Sequence, residues 1–148
     1  MNTPIVDADY LRQLPEGTFG RKWIDTMDRA GLVPFSAGSR RQQLHDGVHV
    51  LAGYQTDPLG EVEVQAFLAG AKFRALHGVM LTQMVVAVAL FKPMALRMGR
   101  HFGLSMVMKQ VMAAYRRGQK ARLDLDRWQP EQVWELPYSE VQAMFGLS

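Results

Sequence analysis

Apolar side chains recur along this chain at helical rather than alternating spacing, and glycine, proline and capping residues cut the pattern into segments. Residues 1–16, with Pro4, Asp7, Asp9 and Pro15, read as an N-terminal arm with a short apolar turn around Tyr10 and Leu11. Thr18 suits an N-cap and Gly31 a stop, which predicts a helix through Arg29 with Trp23, Ile24 and Met27 as its buried stripe. After a linker at 34–38, Ser39 can cap a helix running to about Ala52, ended by Gly53. Asp57 and Pro58 open the next, to about Leu76, with Val62, Val64, Phe67, Leu68 and Ala71 as a broad apolar surface. Gly78 breaks the pattern before the run 79–91, which is apolar nearly all round but shorter than the ~20 residues that span a bilayer. Lys92 and Arg97 bound that run, and Pro93 kinks or ends it. A further helix is expected from Leu104 to about Lys120, and a short one from Pro137 to Phe145, stopped by Gly146.

No strand pattern or internal repeat appears, so the expected class is all-α: one domain over residues 1–148, of about six helices. Met80, Met84, Met94, Met98, Met106, Met108 and Met112 crowd the second half and could line an apolar cavity for a chain-like ligand, although a stripe of this kind is more often plain core. Two features run against local preference. Gly47 in a helix interior costs about 1 kcal/mol relative to alanine, so either something approaches closely there or the helix tolerates it. Arg40 and Arg41 oppose the dipole of the helix they begin, which fits a partner or, more commonly, a solvated end.

A chain of 148 residues with 48% hydrophobic and 21% charged side chains can build a real core and is not of disordered composition. Cysteine is absent, which excludes disulfides and thiol nucleophiles and leaves histidine and carboxylate as the means of holding zinc. The net charge of +3 mildly favours an anionic partner such as a membrane surface or nucleic acid, with simple solubility an equal explanation. The first residues carry neither a basic nor an apolar leader region, and no signal or transit peptide is expected.

The chemistry concentrates in His45-Asp46-Gly47-Val48-His49 and Glu61. At about 100° per residue, His49 lies about 40° and Asp46 about 100° round the helix from His45, so all three share roughly one quadrant. Glu61 falls in the opening turn of the following helix and can fold back onto that face. Two imidazoles and two carboxylates suit a divalent metal such as zinc. Four protein ligands would close the site, so chemistry requires one to leave or stand outside, and Asp46 is the candidate for that mobile role. The arrangement departs from HExxH, where glutamate follows the first histidine as the base. His77 and His101, each beside a glycine, read as loop or helix-end residues, and Ser36, Ser39 and Ser105 have no nucleophile context.

The stretch Leu44-His45-Asp46-Gly47-Val48-His49-Val50-Leu51-Ala52-Gly53, then Gly60-Glu61-Val62, resembles the signature of the Coq-four family of coenzyme Q (ubiquinone) biosynthesis proteins: His-Asp-x-x-His, eleven residues, then Glu. Leu14-Pro15-Glu16-Gly17-Thr18-Phe19-Gly20-Arg21 and the tail from Gly118 through Trp128 to Val141 and Leu147 resemble its flanking segments, while Gly47-Val48 replaces the bulkier pair usual there. The resemblance implies a helical, peripherally membrane-associated protein, cytoplasmic and at the inner face of the cell membrane, with His45, Asp46, His49 and Glu61 as ligands to a divalent metal, zinc first. It implies a polyprenylated hydroxybenzoate as substrate and removal of its C1 carboxylate, with or without coupled hydroxylation. The implied partners are that lipid, the membrane surface, other quinone-biosynthesis proteins and a second copy of the chain, without nucleic acid. The alternative is a non-catalytic lipid-binding scaffold with a structural metal; a generic metal-dependent hydrolase is a third reading.

Overall fold

Helix starts in this chain are set in part by short polar side chains that accept from amides the first turn leaves unbonded. In the computed structural model, described for residues 4–35, 37–72 and 104–147, this produces six α-helices: α1 (Ala8–Gln13), α2 (Phe19–Ala30), α3 (Arg40–Ala52), α4 (Pro58–Ala71), α5 (Leu104–Lys120) and α6 (Tyr138–Met144). Asp7 caps α1, so the N-terminal arm contains a helix. Thr18 caps α2, Ser39 forms a reciprocal capping box with Gln42 on α3, and Asp57 accepts from the Gly60 amide ahead of Pro58 on α4. Gly31 and Gly53 close α2 and α3 in the left-handed conformation, at φ 66° and 74°. The all-α expectation holds for the described residues, among which no helix is long and apolar enough to cross a membrane. The apolar run 79–91, Met80, Met84, Met94, Met98, His77 and His101 lie outside them.

The chain divides into two compact units. The first joins residues 1–54 to 122–148. Its centre is aromatic: Phe19, Trp23, Trp128 and Trp134 are all buried, with Trp23 set edge-on to Trp134 at 5.0 Å and stacked on Trp128 at 5.9 Å. Backbone pairing seals the join, because the Phe19 and Gly20 amides donate to Leu136 and Trp134 carbonyls while the Tyr138 amide donates to the Gly17 carbonyl. Gly47 is explained here. A Cβ at that position would overlap the six-membered ring of Trp23, so the glycine exists to let an indole lie flush against α3.

The C-terminal segment also holds α3 at both ends. Arg40 donates to the Trp128 carbonyl at 2.7 Å and to Glu131 at 2.9 Å, and Arg41 donates to Asp126 at 2.7 Å. The two arginines therefore serve an internal tether rather than a solvated end. At the far end the Tyr138 hydroxyl donates to the Val50 carbonyl and Gln142 to the Leu51 carbonyl, satisfying acceptors that the last turn leaves open. Elsewhere in this unit Arg12 of α1 grips Asp28 of α2 with two nitrogens, at 2.8 and 3.1 Å. That hydrogen bond, and then the guanidinium charge, holds the Asp28 carboxyl below its usual range. A depressed carboxylate contributes stability above the unfolded-state value near 3.8, and loses it as pH falls through the folded-state value. Asp28→Asn should therefore melt slightly lower than the parent at neutral pH. The gap should close on acidification below the ordinary aspartate range, as a pH series of thermal melts would show.

The second unit spans residues 55–121, and its described part is α4 packed on α5. Two glycines bring the backbones together: a Cβ at Gly70 would overlap the Tyr115 carbonyl oxygen, and one at Gly118 the Phe67 carbonyl oxygen. Val62, Val64 and Phe67 of α4 are fully buried, as the pattern predicts. Helix α4 ends at Ala71, with Lys72 in extended backbone at φ −156°, short of the expected Leu76. Met106, Met108 and Met112 of α5 are exposed at 39, 43 and 43%, so these three are not buried core.

Candidate metal centre

Helix α3 is buried nearly all round: from Gln43 to Ala52 every residue is buried except His45, which is half-buried. Leu44, Val48 and Leu51 supply its packing stripe, and Trp23 lies against Gly47, which at about 100° per residue faces away from the two histidines. The i, i+4 spacing then does what helix geometry requires. The His45 and His49 rings stand edge-to-face with centroids 5.0 Å apart, and their Nε2 atoms are 3.3 Å apart. Two lone pairs at that distance need a proton or a cation between them. Two nitrogens bound at ~2.05 Å to one tetrahedral ion stand about 3.3 Å apart, so the pair already has the spacing of two ligands to one zinc-sized ion.

Glu61 enters from the opening turn of α4, where its amide bonds the Asp57 carbonyl and the helix dipole favours a carboxylate. His45, His49 and Glu61 each offer a ligand atom, and these atoms all lie within 4.8 Å of one another. Asp46 is buried, 9% exposed, and is not one of the three. Of the four residues singled out by spacing, His45, His49 and Glu61 form this group. Two nitrogens and one oxygen form a set that leaves a coordination position for an exchangeable ligand, as catalytic zinc sites do and closed structural sites do not. Further along α4, burial and then the nearby Asp57 charge hold the Glu63 carboxyl above its usual range.

Sequence reasoning missed the parts that fix α3 in place: Trp23 beneath Gly47, the Arg40 and Arg41 tethers, and the Tyr138 and Gln142 caps. The signals for them were the helix-interior glycine itself and the two arginines that oppose the dipole of the helix they begin.

Comparisons with known proteins bear on the family and the fold. The family described as coenzyme Q (ubiquinone) biosynthesis protein Coq4 matches residues 1–148. A mouse relative named as a mitochondrial ubiquinone biosynthesis protein COQ4 homolog is 28% identical, over 97% of this chain and 55% of its own length. A Culex quinquefasciatus homolog of the same description is 30% identical, over 68% of this chain and 44% of its own. The chain thus spans about half the length of these curated relatives. The fold matches a crystal structure from Nostoc punctiforme, described in terms of ubiquinone biosynthesis, at a TM-score of 0.77 and 23% identity, over 96% of this chain and 68% of that one.

Proposed function

The chain belongs to the Coq4 family of coenzyme Q (ubiquinone) biosynthesis proteins, and from that premise we propose that it removes the C1 carboxylate of a polyprenylated hydroxybenzoate at a divalent metal site. The observation that carries the reading is the convergence of His45, His49 and Glu61, with Nε2 atoms spaced as ligands to one ion. Zinc is the first candidate, because the donors are imidazole and carboxylate with no sulfur. When bound, such an ion supplies Lewis acidity to an oxygen of the aromatic head group and stabilises charge developing on the ring.

The chain's own residues set the conditions for that chemistry. His49, 1% exposed, holds its ring where water is excluded, which strengthens every electrostatic interaction around it. The Glu61 carboxylate offsets part of the cation's charge. Asp46 takes the mobile role, which keeps a position open for the head group. The C1–carboxylate bond breaks with its electron pair left on the ring, a proton takes the vacated carbon, and carbon dioxide leaves. The prenyl tail would occupy an apolar cavity, and the protein would work peripherally at the inner face of the membrane, beside other quinone-biosynthesis proteins and as a homodimer.

The test is lipid mass spectrometry in a quinone-producing host that lacks its own counterpart. Without the chain, the carboxylated prenylated precursor accumulates; supplying the chain should clear it and restore quinone. Unchanged precursor levels overturn the proposal. Restoration by a variant that binds no metal overturns the catalytic reading and leaves the lipid-binding scaffold.

A further inference from the structure

Helix α5 carries Lys109, Arg116, Arg117 and Lys120 and no acidic residue, so its four charges exceed the +3 of the whole chain. Val107, Ala114 and Gly118 are its buried positions, and in the described structure they mark the face toward α4. With about 100° per residue, the opposite pole is Lys109, Arg116 and Lys120, all exposed. None of the three has an ion-pair partner among the described residues. Met108 and Met112 flank this basic pole on one side and Met106 on the other, each about two-fifths exposed. A solvated helix face ordinarily mixes both signs of charge. Here one sign stands alone beside flexible apolar side chains.

We propose that this face of α5 docks on the surface of an anionic lipid bilayer. The cations meet headgroup phosphates and the methionines settle among the first acyl carbons. The composition favours lipid over nucleic acid, since thioether side chains offer nothing for bases to stack on. The inference deepens the membrane-surface part of the function proposed above by naming the element that makes the contact, and it rests on that reading only for its biological purpose.

The experiment is vesicle flotation of the full chain with phosphatidylcholine alone and with phosphatidylcholine plus phosphatidylglycerol. Binding should require the anionic lipid and weaken with salt. Each cation removed should cost about five-fold in partitioning, and the triple variant Lys109→Gln, Arg116→Gln, Lys120→Gln of order 100-fold, with unchanged helical circular dichroism. His49→Ala should bind vesicles like the parent, which separates failure of the surface from failure of the metal site. Equal binding to neutral vesicles, unchanged binding by the triple variant, or preferential retention on an oligonucleotide overturns the proposal.

Discussion

In protein purified without chelators, His49→Ala is expected to lower bound divalent metal from about one equivalent per chain to background, and with it to abolish clearance of the carboxylated precursor. The expectation follows from geometry. The Nε2 of His49 lies 3.3 Å from that of His45, and among the described residues Glu61 joins them within 4.8 Å. Removing one of three ligands leaves two, and the loss should exceed the 10–100-fold that outer-shell changes typically produce. Alanine at a position 1% exposed also leaves a cavity, so stability could fall for unrelated reasons. Glu61→Gln separates the effects: it removes the carboxylate charge at a half-buried position while nearly preserving its shape. It should lose metal affinity with little change in melting temperature. Elemental analysis of parent and both variants checks this. Metal retained at the parent level by both variants, or absent from the parent, would sink the metal assignment.

The second large effect is expected at Gly47. On helix propensity alone, Gly47→Ala should stabilise α3 by about 1 kcal/mol. The structure reverses the sign. The new Cβ would occupy the space of the Trp23 ring, and that indole cannot step aside, being 5.8 Å from Phe19, 5.9 Å from Trp128 and 5.0 Å from Trp134 by ring centroids. Overpacking of this kind should cost about 3 kcal/mol, or roughly 5–12 °C in melting temperature for a chain of this size. Trp23→Phe alone should also destabilise, by leaving a void. In combination the two should be better than additive by more than about 1 kcal/mol, since a smaller ring makes room for the methyl group. A Gly47→Ala protein that melts above the parent would show that the close approach is wrong.

What could be read from the sequence is whatever is local. Thr18, Ser39 and Asp57-Pro58 announce helix starts, and Gly31 and Gly53 announce stops, because each acts on amides or carbonyls within one turn of itself. His45 and His49 converge because 3.6 residues per turn guarantees it, and Glu61 was placed by the stop and start between them. Hidden features depend on residues far away in the chain. Gly47 signalled that something was close, but nothing nearby identified Trp23. Arg40 and Arg41 suggested an external partner or a solvated end, while their carboxylates wait at Glu131 and Asp126. The glycine contacts of α4 with α5 carry no one-dimensional signature at all. Asp46 illustrates the limit at the site itself: angular position put it with the histidines, yet it falls outside the group of three.

The clamp that residues 122–147 place on α3 has a temporal consequence during synthesis. The helix that bears the histidines leaves the ribosome well before the groups that receive Arg40, cap Val50 and Leu51 and stack on Trp23, the Arg40–Trp128 contact alone being 88 residues apart in sequence. At ~5–20 residues per second the delay is on the order of 10 s. Through that interval a greasy, half-assembled surface is open to chaperones, whereas α4 and α5, neighbours within one continuous stretch, need not wait.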